Sequence, residues 1–168
     1  MKTDSKKITL LALFTTLAMI LSYIESLIPP VFAATPGIKI GLPNIIIIFI
    51  LYKFSFIYAA TVSFLRVFLV AILFGNTVTL LYSIAGAVLS LGIMVILKKI
   101  NYFSVMGVSI AGAIFHNFGQ ILVAIILLKT KEIAFYMIPL VISGVIAGIL
   151  VGIIGAILLK RFEKTKLF

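Results

Sequence analysis

The stretch FSFIYAATVSFLRVFLVAILF, residues 54–74, decides the fold: a single charge, Arg66, sits inside an otherwise uncharged run long enough to cross a membrane. About 20 apolar residues wound as a helix match the ~30 Å hydrocarbon core of a bilayer. The run therefore reads as a transmembrane helix, and its arginine as a residue that needs a special reason to be there.

Outward from this stretch, apolar runs alternate with charged or turn residues: Ile8 to Ile28, Ile38 to Tyr52, Phe54 to Phe74, Val78 to Leu97, Phe103 to Leu128 and Ile133 to Leu159. They predict an all-α bundle of six transmembrane helices forming one domain over residues 1–168. The second run is short and contains Pro43, so a re-entrant segment is the alternative there. With 64% of the 168 residues hydrophobic, against roughly 45–50% in soluble domains, a soluble fold is excluded. Six spans leave no length for a separate catalytic domain. The basic start, Met-Lys-Thr-Asp-Ser-Lys-Lys, resembles a signal-peptide n-region, but the apolar run after it is too long and lacks a small-residue cleavage site. It reads as a retained first span.

The chain has 14 Lys and Arg against four acids, net +10. In a hydrophobic chain such a surplus orients the protein in the bilayer before it speaks for nucleic acid, which is set aside as a partner. With six crossings, Lys2, Lys6, Lys7, Lys53, Lys98, Lys99, Lys160, Arg161, Lys164 and Lys166 share one side, and Lys39, Lys129 and Lys131 the other. A second run that does not cross reverses the bias. The positive-inside tendency thus favours six crossings in the cytoplasmic membrane with both termini cytoplasmic. The connection from Pro29 to Gly37 carries three prolines (Pro29, Pro30 and Pro36) and reads as an irregular outer loop suited to covering a cavity. Gly75-Asn76 reads as a tight turn.

Small residues recur at four-residue spacing: Ala18, Ser22 and Ser26; Gly86 and Ser90; Gly144, Gly148, Gly152 and Ala156. Such stripes let helix backbones approach closely in lipid, where no hydrophobic force drives helices together. Internal packing is one reading, docking of another membrane subunit the other, and the first helix suits docking best.

Arg66 lies eight positions from Phe74, about 12 Å below the outer end of its helix, where a bare charge costs at least ~2.5–3.5 kcal/mol. It must face the bundle interior and have a partner. Glu25, near the outer end of the first helix, supplies a structural ion pair; alternatively the guanidinium recognises an anion in a dry pocket, with Glu25 holding it between binding events. In the fifth helix His116, Asn117 and Gln120 stand three and four apart, predicting one face with an imidazole and two amides, about 18 Å below the outer end. Gly112, a turn below, leaves space beside His116. An interhelical polar cluster and a ligand contact are equally open here. Asn44 enters the second helix either as a cap or facing the cavity; Lys39 snorkels to the interface or attracts an anion.

Several mechanisms are excluded. There is no phosphate-binding G-x-x-x-x-G-K-[ST] loop, so the chain has no ATPase of its own. Asp4, Glu25, Glu132 and Glu163 are scattered, giving neither a magnesium-binding acidic cluster nor a paired-carboxylate site. Without cysteine there is no disulfide, iron–sulfur cluster or thiolate nucleophile, and one histidine cannot ligate a bis-His haem. No metal or cofactor is expected in this chain, and catalysis by it alone is not.

At Lys39-Ile-Gly-Leu-Pro-Asn44, at Ser63-Phe-Leu-Arg-Val67 followed by Leu73-Phe-Gly75, and at Gly107-Val-Ser-Ile-Ala-Gly-Ala-Ile-Phe-His-Asn-Phe-Gly-Gln120, the chain resembles the Gx transporter family, also labelled heptaprenyl diphosphate synthase component I. The resemblance covers nearly the whole length. It implies a protein similar to the substrate-binding S components of energy-coupling-factor transporters, six-helix proteins with an outer loop over the ligand. Their ATPase and scaffold partners use ATP. On this reading Arg66 pairs with the anionic group of a vitamin-, quinone- or isoprenoid-like compound, and His116, Asn117 and Gln120, with Glu25, Lys39 and Asn44, complete the site. The first helix departs from a strict Ala-x-x-x-Ala pair; Ala12-x-x-x-Thr16 and Ala18-x-x-x-Ser22 stand in as docking residues. The synthase label implies instead a noncatalytic membrane subunit beside a soluble prenyl diphosphate synthase in menaquinone synthesis. A membrane partner in quinone- or flavin-linked electron transfer is the third alternative.

Overall fold

The computed structural model describes residues 2–27 and 41–163, with side chains from Ser5 onward. It contains α1 (Lys2–Leu27), α2 (Asn44–Lys53), α3 (Phe56–Phe74), α4 (Thr77–Ile100), α5 (Val105–Leu128), a 3-10 turn (Lys131–Tyr136) and α6 (Met137–Arg161). Among the described residues there is no strand. Among the described residues, five helices, α1 and α3 to α6, are long and apolar enough to cross a membrane.

The second run departs from expectation. Helix α2 has ten residues, so it is about 15 Å long, half the bilayer core. The expected start at Ile38 lies outside the described residues; from Gly41 onward the run becomes helical only at Asn44, because Pro43 offers no N–H and disfavours helical backbone at the residue before it. Gly41, at φ +79, closes a turn whose carbonyl accepts the Asn44 N–H at 2.8 Å. Five spanning helices and one half-length helix thus stand where six spans were expected. The last run also divides: residues 131–136 form the 3-10 turn, and α6 begins only at Met137, with Pro139 in its first turn, where a missing N–H costs little.

Helix α2 is the centre of the protein. All seven residues from Ile45 to Leu51 are buried, none above 9% exposed. A helix apolar on every side finds its partners only by being surrounded, and α2 is contacted by α1, α3 and α6, with Leu91 and Met94 of α4 and Val108 of α5 in the same core. Helix α1 lies against α3 and α2 and adds Phe14 and Ala18 to the same core.

Glycines set the tightest contacts. An added Cβ at Gly144, Gly148 or Gly152 of α6 would lie 3.4, 2.5 or 2.8 Å from the Cα of Ile114, Ile110 or Met106 of α5. These steps of four, running in opposite directions, record an antiparallel pair with backbones in contact. The α6 glycines therefore serve internal packing. Gly119 of α5 meets the Ala85 carbonyl of α4 in the same way, at 2.6 Å from its added Cβ.

The ends of the helices sort the charges. Lys53 donates to the carbonyls of Phe162 (2.6 Å) and Glu163 (3.1 Å), and Lys98 to that of Leu51, so the C-terminal ends of α2, α4 and α6 meet. Lys53, Lys98, Lys99, Lys160 and Arg161 gather at this basic end. Phe14 packs its ring 5.9 Å from Phe49 and 5.8 Å from Phe54, placing the first half of α1 there too, while Tyr23 and Phe74 meet at 5.0 Å at the far end. Successive helices alternate direction, α2 included. At the far end Gly75 and Asn76 join α3 to α4, and Asn76 and Thr79 form a reciprocal cap that starts α4.

Candidate functional site

Arg66 sits ten residues into α3, about 15 Å from its basic end. Its Nη1 donates to Ser22 Oγ of α1 at 3.3 Å. Ser22 sends its own hydroxyl hydrogen to the Ala18 carbonyl at 2.9 Å, which leaves a lone pair turned to the guanidinium. One turn further along α1, the buried Glu25 carboxylate accepts the backbone N–H of Gly41 and lies within electrostatic reach of Arg66. Arg66 Nε is buried and has no hydrogen-bond partner among the described residues. A guanidinium offers five N–H donors, so this one has capacity left for an acceptor. The expected neighbourhood of Arg66 and Glu25 is present, but Glu25 also holds the turn that starts α2.

His116 is seated by Gly86, a glycine that the sequence left open between internal packing and docking. A Cβ on Gly86 of α4 would lie 2.7 Å from His116 Cε1, so only a missing side chain admits the ring. The space beside Gly112 is instead filled by Met94, 2.8 Å from an added Cβ. Gln120 Nε2 stands 3.3 Å from His116 Nε2. Asn117 does not join them: its amide donates to the Leu140 carbonyl of α6 at 2.8 Å and covers Gly144. The single polar face expected from the spacing is divided because consecutive residues on a helix point about 100° apart, and α4 and α6 flank α5 on different sides.

Asn44 does not cap α2; Pro43 is the cap residue and no side chain closes it. It lines a small hollow together with Ser90 of α4 and Ser109 of α5. Lys39 and the connection from Pro29 to Gly37 lie outside the described residues. The docking candidates on α1 fall into two pairs: Ala18 and Ser22 are buried, at 0% and 8% exposure, whereas Ala12 and Thr16 face outward. Only the second pair is positioned to meet another subunit.

Sequence reading had placed Ser22 among docking residues; its role as the acceptor for Arg66 follows from α1 and α3 running parallel, which no local pattern announces. Ser90 was visible only as a small residue, and Ser109 carried no signal of its own. Among the described residues no three His, Cys, Asp or Glu side chains come together as a metal-ligand group. The side chains thus form two polar groups at membrane depth: Arg66 with Ser22 and Glu25 between α3 and α1, and His116 with Gln120 on α5 against α4.

A family model described as heptaprenyl diphosphate synthase component I matches residues 14–158. No curated protein and no solved structure matches the chain.

Proposed function

The chain belongs to the heptaprenyl diphosphate synthase component I family, and from that premise we propose that it is the ligand-recognising membrane subunit of a larger assembly. Its ligand is a small amphipathic anion. The observation that carries this reading is Arg66, a guanidinium in the middle of a spanning helix whose Nε makes no hydrogen bond among the described residues. A charge at this depth is retained for use rather than for stability, and a bidentate anion is what a guanidinium fork fits best. Ser22 and Glu25 hold the side chain in place, while His116 and Gln120 orient the ligand by hydrogen bonds. Asn117 supports the site by tying α5 to α6.

The basic end faces the cytoplasm, following the positive-inside tendency, and the ligand enters from the far end. In the transporter form of the proposal, similar to an energy-coupling-factor S component, ATPase and scaffold subunits supply the driving force, and the outward Ala12 and Thr16 of α1 meet the scaffold. The family description favours a second form, a noncatalytic component I that presents an isoprenoid diphosphate to a soluble synthase. Such a diphosphate is itself an amphipathic anion, so the same guanidinium serves both. The four acids of the chain are too scattered to hold the magnesium that prenyl transfer needs, which assigns the chemistry to the partner.

The test is copurification from the native membrane followed by binding of a short isoprenyl diphosphate to the protein in lipid nanodiscs. An associated ATPase supports the transporter form, an Asp-rich prenyltransferase the synthase form, and a flavoprotein would replace both with electron transfer. Unchanged affinity in Arg66→Ala, with the variant folded, rejects the assigned site.

A further inference from the structure

At the junction of α2, α4 and α5 lies a hollow of about 10 Å³ bordered by Asn44, Ser90, Ser109, Gly112, Met94 and Val151. Ser90 and Ser109 are 3% and 4% exposed. Elsewhere in the bundle Thr15, Thr16, Ser22 and Thr61 each return their hydroxyl hydrogen to the carbonyl four residues back in their own helix. Ser90 does not: its Oγ is buried without a hydrogen-bond partner among the described residues, and it stands 3.3 Å from a Cβ added to Gly112. A hydroxyl left unsatisfied at membrane depth is costly.

We propose that this hollow binds one structural water, held by Ser90, Ser109 and Asn44, which joins the first residue of α2 to α4 and α5. Size and chemistry agree. The volume is about that of one water-sized sphere, and a buried water typically makes about three hydrogen bonds to otherwise unsatisfied groups. An anion is disfavoured because the N–H groups that open α2 are already engaged: Asn44 with the Gly41 carbonyl at 2.8 Å, Ile45 with Leu42 and Ile46 with Pro43 at 3.1 Å each. A cation is disfavoured because no carboxylate borders the hollow and the positive end of the α2 dipole points toward it. A neutral hydrogen-bonding molecule remains, and it makes the start of the central helix a polar joint.

A diffraction map of the full-length protein from a lipidic mesophase tests this directly: one peak is expected within hydrogen-bonding distance, about 2.7–3.2 Å, of Ser90 Oγ, and its absence overturns the proposal. Thermal unfolding in detergent gives an independent reading. With the water present, Ser90→Ala and Ser109→Ala each lower the melting temperature, and the double variant falls no further than the worse single one, because both lose the same bridge. A rise in Ser90→Ala, as expected from deleting an orphan hydroxyl in a dry hollow, or strictly additive losses, overturns it. So does melting of the unsubstituted protein that depends on sodium or potassium, which would identify a cation. Where the variants do not fold, the map decides alone.

Discussion

Arg66 and Ser22 are joined at 3.3 Å across α3 and α1, and the serine accepts because its hydrogen is committed to Ala18. The contact fixes one arm of the guanidinium and leaves Nε without a protein acceptor among the described residues. A structural ion pair would be expected to saturate both partners; here the carboxylate opposite, Glu25, is shared with the backbone of Gly41.

Arg66→Ala is therefore expected to weaken binding of an isoprenyl diphosphate by about 10- to 150-fold, the equivalent of the ~1.5–3 kcal/mol of a hydrogen bond to a charged group. Arg66→Lys keeps the charge but not the planar fork and recovers only part of the loss. Ser22→Ala, which removes only the positioning contact, falls between wild type and Arg66→Ala. Equilibrium binding in nanodiscs reads all three.

The α6 glycines make a sharper claim about stability. In Gly148→Ala the new Cβ would stand 2.5 Å from Ile110 Cα, a backbone atom that cannot swing aside. Helices α5 and α6 must separate, at about 1–3 kcal/mol. Gly92→Ala is the control: no atom lies within 4 Å of its added Cβ and the position is exposed. It is expected to be neutral or stabilising by up to ~1 kcal/mol through helix propensity. Melting curves of the two variants in one detergent separate the effects.

What the sequence announced and what it concealed follow from the range of the interactions. Spanning helices are legible in apolar runs because length alone matches the bilayer, and Arg66 is legible because a lone charge in such a run has few explanations. The burial of α2 is not: Ile45 to Leu51 is apolar throughout, so no periodicity marks a face, and only Pro43 hints that the helix starts late. Nor does spacing tell that Gly86 seats His116 or that Asn117 turns to α6, since both depend on the register between helices. Residues three and four apart share a face only approximately, and two neighbours divided the one on α5.

Asn117 supplies a test of that division. Its amide is engaged by the Leu140 carbonyl at 2.8 Å and is 3% exposed, so Asn117→Ala is expected to cost about 0.6–1.7 kcal/mol of stability, the range for hydrogen bonds between membrane helices. Its ligand affinity should stay within twofold to threefold of wild type, roughly the effect of a small shift in position. Gly86→Ala should do the reverse of this pattern in binding, because its Cβ displaces the His116 ring. Parallel unfolding and binding measurements on both variants check the assignment, and a large affinity loss in folded Asn117→Ala would place that amide on the ligand.

The basic end carries the last prediction. Lys98 donates to the Leu51 carbonyl near the C-terminus of α2 and holds its ammonium 5.2 Å from the centre of the Tyr52 ring. It thus meets the negative end of α2 at a carbonyl whose residue, Leu51, is buried. Lys53 also donates to carbonyls, but those of Phe162 and Glu163 lie on an exposed chain end that solvent can satisfy. Lys98→Met is accordingly expected to destabilise by about 0.3–1 kcal/mol or somewhat more, and Lys53→Met by less. Lys98→Arg should restore much of the loss, since charge and stacking on Tyr52 survive. If Lys98→Met melts with the wild type, the cation at the end of α2 is there for orientation in the membrane and not for holding the central helix.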